Sequence, residues 1–514
     1  METLTITIKT LFGFEEILKE EVESLGYKNV TALNRAVQLE GEWEDVYILN
    51  FKLRLAIAVL VKIDQFRVNS EDDLYKHAKK IDWTKYFEVD KTFAVKGAIF
   101  STLFNHTMYP FLVVKDAIAD VFREKYDKRP DVNTKSPQVM FDVYIKEKDV
   151  TISLNTSGVP LFQRGYRQET GEAPMNEVLA AGLLKLSGWD MKSTLIDPMC
   201  GSGTLAIEAA LMAADIPAMI ERQHYAFKNF KSFDAEKWDA IFNGANRRPV
   251  KLGFDIIASD NDAEVLQKAK RNSKIAPIGN MVQFHLKDFK EIEKPTEKGT
   301  LICNPPYGER MGEELEELYS EMGDFFKQKM TGFDCWIVTS NVDAVKFVGL
   351  KPDKKIKVFN GSLECTFRKF SIFEGTKKVK YQKEEGADKP STDTKTPERD
   401  EKGERKLSRK EFGRKREAER AKLAEKTKND TSSRAFEKKE KEKESESTEK
   451  PSKYNQQLSK YNVKPTYTKR IEKEGDNSSK EKDIDEEKST KKEINVSKTS
   501  SKIDELKKYR KRED

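Results

Sequence analysis

Apolar and polar positions alternate through "TLTITIKT" (residues 3–10), which predicts a strand. The period then changes. In "GFEEILKEEVESLG", Phe14, Ile17, Leu18, Val22 and Leu25 fall on one helical face, with Gly26 placed to cap it. "NVTALN" and "AVQLEG" read as strands, and a helix is expected over 43–58. "LRLAIAVLVKI" reads as a core helix passing into the strand "VLVKIDQFRV". Strand–helix–strand–strand–helix–strand is the order of a small α+β sandwich. A second module starts near Asp72. It holds a helix in "LYKHAKKIDWTKYF", a strand in "KTFAVKGAIF" and an amphipathic helix in "PFLVVKDAIADVFREKY". Two strands joined by the turn "KEKD" close it near Leu161.

From Ser193 the pattern becomes strand followed by helix, repeated. "STLIDPMCGSG", "LGFDIIASDND", "VQFHLKDF", "GTLICNPPYGER" and "DCWIVTSN" are the expected strands. "KIKVFNG" and "LECTFRKFSIF" read as an antiparallel pair closing the sheet. Such alternation predicts a parallel, doubly wound sheet with ligand crevices at strand C-termini.

Composition divides the chain at the same place where the pattern fades. From Gly375 onward Trp, Cys and large aliphatic clusters vanish, and residues 374–514 read as a disordered, charged basic tail. Of 94 Lys+Arg and 88 Asp+Glu in the chain, residues 371–514 hold 43 and 33, leaving 51 and 55 in residues 1–370. The tail is therefore net positive and the rest slightly negative. A flexible basic tail suits a polyanion such as RNA; a solubilising role is the alternative. Cys200, Cys303, Cys335 and Cys365 are scattered, which argues against a zinc cluster or disulfide framework and fits a reduced, cytoplasmic protein. Neither a signal peptide nor a bilayer-spanning run is expected.

Four features fall at expected strand ends. "DPMCGSGT" supplies Gly201 and Gly203 for a tight turn, with helix N–H groups behind them. It is neither a P-loop nor the full dinucleotide fingerprint. Asp260 in "IIASDND" can accept hydrogen bonds from both hydroxyls of a ribose, or it can cap the next helix. Its distance from the glycines requires an insertion over roughly 215–251. Asp288 in "LKDF" can hydrogen-bond an adenine amino group, or be a plain loop residue. In "NPPYGER", Asn304 and the Pro305 carbonyl provide two acceptors, Pro305 and Pro306 keep the loop free of donors, and Tyr307 offers a stacking face. Two acceptors can hold both hydrogens of an exocyclic amine and aim its lone pair outward.

In this order, "DPMCGSG", "SDND", "KDF" and "NPPYGER" resemble the class I S-adenosyl-L-methionine-dependent methyltransferases that modify base amino groups. With "RGYR…APMNEVLAA" upstream, the chain is similar to THUMP-domain RNA methyltransferases, and among them the 23S rRNA guanine-N2 enzymes. The resemblance implies a ferredoxin-like region (1–60), a THUMP RNA-binding domain (61–160) and a Rossmann-like methyltransferase domain (161–373). It implies that Asp197, Gly201 and Gly203 contact the methionine part of S-adenosyl-L-methionine. Asp260 would hold its ribose, and Asp288 with Phe289 its adenine. Asn304, Pro305, Pro306 and Tyr307 would form the base pocket, and the region around Arg164, Arg167, Asn176 and Glu177 would frame the cofactor and substrate mouth. Some members carry a second methyltransferase domain where this chain has its tail, so a second activity is not expected. A tRNA guanine-N2 enzyme, an adenine-N6 enzyme and a non-catalytic RNA-binding assembly factor are the rival readings.

Overall fold

The computed structural model describes residues 3–104, 108–168, 175–306 and 313–373. The expectations for Tyr307 and for the tail lie outside these residues.

The first half of the chain runs β1 (Leu4–Lys9), α1 (Glu15–Ser24), β2 (Thr31–Leu33), β3 (Ala36–Gly41), α2 (Trp43–Lys52), β4 (Ala58–Arg67), α3 (Glu71–Lys80), β5 (Phe93–Phe100), α4 (Tyr109–Tyr126), β6 (Val139–Lys146) and β7 (Asp149–Asn155). The two modules expected here share one seven-stranded sheet, ordered β2-β3-β1-β4-β7-β6-β5. β4 joins them. It pairs antiparallel with β1 from Ala58 to Val61 and with β7 from Leu60 to Arg67, with a bulge between Lys62 and Asp64. The boundary between residues 60 and 61 therefore falls inside a hydrogen-bonded strand.

Helix α2 is shorter than its hydrophobic pattern predicts. It stops at Lys52, and Leu53 is extended. The cause is Glu21, a buried residue of α1. Its two carboxylate oxygens accept the backbone N–H groups of Arg54 and Leu55, both at 3.0 Å. Those donors are thereby withdrawn from any continuing helix.

The second half runs α5 (Glu177–Ser187), β8 (Thr194–Asp197), α6 (Thr204–Ala213), α7 (Ala235–Asn243), β9 (Ile256–Asp260), α8 (Ala263–Ile275), β10 (Val282–Leu286), β11 (Gly299–Cys303), α9 (Glu313–Lys329), β12 (Phe333–Thr339), β13 (Lys354–Asn360) and β14 (Leu363–Ser371). The sheet order is β10-β9-β8-β11-β12-β14-β13. The first five strands are parallel, and the β13–β14 hairpin adds antiparallel to β12. This is the doubly wound α/β sheet expected. Its order reverses between β8 and β11, so the crevice opens at the ends of these two strands.

The insertion between α6 and β9 is a docking element. Tyr225, Phe227, Phe233, Trp238 and Phe242 form an aromatic cluster with Tyr47 and Phe51 of α2. Arg222, 4% exposed, donates to the carbonyls of Ser157, Val159, Pro160, Gln163 and His224 at 2.6–3.0 Å. One guanidinium thus fastens the segment that connects β7 to the second half. Its surroundings hold many carbonyls, and burial pushes its pKa down to about 10. Among the described residues no helix is long and apolar enough to cross a membrane, and no group of three or more His, Cys, Asp or Glu could hold a metal ion.

Candidate functional site

β8 ends in Asp197, which is 2% exposed. Burial, then the neighbouring Asp260 charge, pushes its carboxyl well above the usual range, while the Met199 backbone pulls the other way. The chain then turns through Gly201 (φ +55°) and Gly203 (φ +82°) into α6. The Cys200 N–H donates to the Ser259 carbonyl of β9 and the Gly203 N–H to the Cys200 carbonyl, both at 2.9 Å. The two glycines serve different ends. A Cβ on Gly203 would lie 3.0 Å from the Ala269 Cβ of α8, a tight contact that helix packing opposes. A Cβ on Gly201 would meet nothing within 4 Å, so only its left-handed backbone requires glycine, and its flank faces open space.

Asp260 holds this loop. Its Oδ2 accepts the Gly201 N–H at 2.9 Å, and its Oδ1 accepts the Asp262 N–H at 3.0 Å. The helix cap that Asp260 could have been is Asp262, which accepts from Glu264 and Val265 at the start of α8. An ionised carboxylate has about four lone-pair sites. Two of those on Asp260 are used by the Gly201 and Asp262 N–H groups, so it retains acceptor capacity.

Asp288 follows β10 and caps a 3₁₀ turn through Lys290, at 2.9 Å. The Lys287 N–H donates to the Asp260 carbonyl at 3.1 Å, which sets the two acidic loops side by side. The Phe289 ring is buried and packs edge-on against Phe325 of α9, with centroids 5.5 Å apart. Its ring is a core group rather than a stacking face. Asn304, Pro305 and Pro306 leave β11 beside β8, with Pro305 buried and Pro306 exposed.

Upstream, Asn176 caps α5 by accepting from Val178 and Leu179. Arg167 donates to the Glu177 carboxylate at 2.9 Å, to the Met175 carbonyl at 2.6 Å and to the Thr204 hydroxyl at 3.4 Å. It thereby ties α5 to the first residue of α6. Burial raises Glu177 to about 7, although Arg167 opposes the shift. Arg164 is fully buried and pairs with Glu208 of α6 at 3.3 Å, and the Tyr166 hydroxyl donates to the same carboxylate at 3.0 Å. Arg164 is therefore a support behind the loop, away from solvent.

Sequence reasoning passed over Asn272 and Glu208. Asn272 of α8 is fully buried; its amide donates to the Ser202 carbonyl at 3.1 Å and its oxygen accepts the Gln168 N–H at 3.1 Å. It joins the glycine loop to the segment before α5. The available signal was spacing. Leu266, Ala269 and Asn272 recur at threefold intervals on the buried face, so the last is a polar residue in a core position.

A parallel sheet reversing at β8 and β11, a glycine turn held by the acidic end of the next strand, and a proline-bounded loop on the adjoining strand together define a class I methyltransferase fold. Family models agree along the chain: an RMKL-like methyltransferase domain matches residues 164–369, a THUMP domain 68–155 and an RlmL ferredoxin-like domain 5–60. The chain belongs to the THUMP-containing class I methyltransferases. It is 38% identical over 369 residues to "Ribosomal RNA large subunit methyltransferase K/L" of Shewanella frigidimarina, a match covering 70% of this chain and 52% of that protein. The chain spans about half the length of the curated relatives it matches. Among solved structures it is similar to SMU.472 complexed with SAH (TM-score 0.64, 25% identity, 73% of this chain and 100% of that one). It is also similar to the structure described as "a predicted N6-adenine-specific DNA methylase from Listeria monocytogenes str. 4b F2365" (TM-score 0.64, 28% identity, 72% and 97%).

Proposed function

We propose that this protein transfers a methyl group from S-adenosyl-L-methionine to the exocyclic N2 amine of a guanine in 23S rRNA, in the cytoplasm. The observation that carries the reading is the placement of Asn304-Pro305-Pro306 at the end of β11, directly beside the β8 loop that Asp260 holds. The donor set fits the cofactor. Asp260 keeps acceptor capacity for ribose hydroxyls, the Gly201 flank is open, and a cationic amine at Asp197 would offset the burial and the Asp260 charge that hold its carboxyl protonated. Asp288 would hold the adenine. When bound, the cofactor supplies an electrophilic methyl group.

The chain's own contribution is positioning. The Asn304 side-chain oxygen and the Pro305 carbonyl accept the two N–H groups of the base amine, which turns its lone pair toward the methyl group. Tyr307 stacks on the splayed-out base. Arg167 and Asn272 keep the surrounding segments in register with the glycine loop. The relative from Shewanella frigidimarina, named for the large ribosomal subunit RNA, supports the choice of substrate.

Asn304→Ala tests the pocket. It should lower methyl transfer about 100-fold while SAH affinity, read by calorimetry, stays within a factor of two. Unchanged transfer by a folded variant would remove Asn304 from the role. An adenine amine offers the same two N–H groups, and the description of the Listeria structure favours that base. Incubation with 23S rRNA and tRNA fragments, followed by nucleoside analysis, separates the readings. N2-methylguanosine in 23S rRNA supports the first; N6-methyladenosine, or label in tRNA alone, overturns it.

A further inference from the structure

The seven-stranded sheet of the first half has two different faces. Ile6, Ile8, Val37, Val59, Val61, Phe141, Val143, Ile145, Ile152 and Leu154 join Leu18, Val46 and Ile118 of α1, α2 and α4 in one core. The residues between them form the other face, where Phe100, Tyr144, Lys146 and Asp149 are exposed at the ends of β5, β6 and β7. There the register sets Ala98 beside Tyr144 and Phe100 beside Lys146, with Thr151 of β7 opposite Tyr144. Phe100 is 60% exposed and Tyr144 39% exposed. Their ring centroids lie 6.0 Å apart at 56°. Two aromatic rings displayed together on solvent are costly unless something covers them.

β4 and β7 separate β1 from β6, at about 4.8 Å per strand step. Yet Lys9 of β1 and Asp142 of β6 form an ion pair across that gap. This pair also neutralises Asp142. Lys62, Arg67, Lys96 and Lys146 then share the face with Asp149, which lies between Lys146 and Arg67 in the register, and with Glu40 at the far side. Lys96 and Lys146, both exposed, flank the aromatic pair.

We infer that this sheet face is a platform for single-stranded RNA. Tyr144 and Phe100 stack on successive bases, and Lys96 and Lys146 meet the phosphates. Exposed aromatics between cations on a sheet suit unpaired bases, because a duplex keeps its base faces hidden. The platform lies outside the methyltransferase crevice and would seize a strand flanking the target nucleotide. The inference rests on the RNA-substrate reading above and adds where, and in what form, that RNA is held.

The test uses the full-length protein and a labelled single strand of about 10 nucleotides, alone and annealed to its complement. Phe100→Ala with Tyr144→Ala should weaken single-strand binding at least about tenfold, since two base–aromatic stacks are lost. Lys96→Gln with Lys146→Gln should flatten the salt dependence of log K by about 1.4. SAH affinity and melting temperature should not move in either variant. Phe100→Tyr with Tyr144→Phe, which keeps both rings, should retain binding. If the wild type binds the strand and the alanine pair binds equally well, the platform is wrong while the RNA reading stands. Preference for the duplex overturns the platform in the same way. If the wild type binds neither these probes nor 23S rRNA, the RNA reading falls and the platform with it.

Discussion

Replacing Arg222 by methionine keeps the aliphatic stem and removes all five N–H donors. The structure sets the magnitude. Five hydrogen bonds from a charged group, at about 1.5 kcal/mol each, contribute roughly 7 kcal/mol. Against this stands the cost of burying the guanidinium. Its pKa is pushed down from 12.5 to about 10, which corresponds to about 3 kcal/mol. The net loss on substitution is therefore about 4 kcal/mol, large for a single residue. Arg222→Lys retains three donors without the planar fork and should lose about half as much. Urea unfolding followed by tryptophan fluorescence reads both losses, and proteolysis should begin to cut within residues 157–163. Methyl transfer to long RNA should fall further than SAH binding, because the clamp joins the first half of the chain to the second. A folded Arg222→Met protein within about 1 kcal/mol of wild type would show that the five carbonyls do not depend on this side chain.

The remaining predictions concern the crevice. Asp260→Asn should weaken SAH binding about 100-fold, from the loss of charge-assisted bonds to the Gly201 N–H and to the ligand, and calorimetry checks it. Glu177 is raised from 4.5 to about 7, so the folded state holds its proton more tightly than the unfolded state. Stability should accordingly decline by up to about 3 kcal/mol as pH rises from 4.5 to 7, and Glu177→Gln should flatten that part of the melting-temperature profile. Gly203→Ala should cost about 2 kcal/mol, from a φ of +82° and contact with Ala269; Gly188→Ala, at φ +77° with nothing near, should cost about 1. Equal losses at the two positions would refute the packing argument.

The second sheet was legible because each parallel strand is a short apolar run that ends in a distinctive residue. Asp197, Asp260 and Asn304 mark three of those ends, and the following helices have clear apolar faces. The resemblance carried by the same residues supplied the cofactor and an expectation for the base. What stayed hidden depended on partners remote in sequence. Nothing local in "VLVKIDQFRV" says that this strand has one neighbour from each module. Nothing near Lys52 says that Glu21, some thirty positions earlier, ends the helix. The insertion looked like a spacing anomaly because its aromatics are explained by Tyr47 and Phe51, which lie far upstream. Asp260 could be read as a ribose acceptor or as a helix cap, and only its hydrogen bond to Gly201, with Asp262 taking the cap, separates the two duties.

Strand β4 has a consequence for how the chain is made. Val61 pairs with Leu154, so nearly a hundred residues must be synthesised before the outer half of β4 finds its partner. Until then the strand is an unprotected edge carrying Val59, Leu60 and Val61, the kind of surface that recruits strands from neighbouring chains. Lys62, Asp64 and Arg67, set along the waiting segment with a bulge among them, are the features that discourage such pairing. The charges on β4 thus act first as guards of a nascent chain.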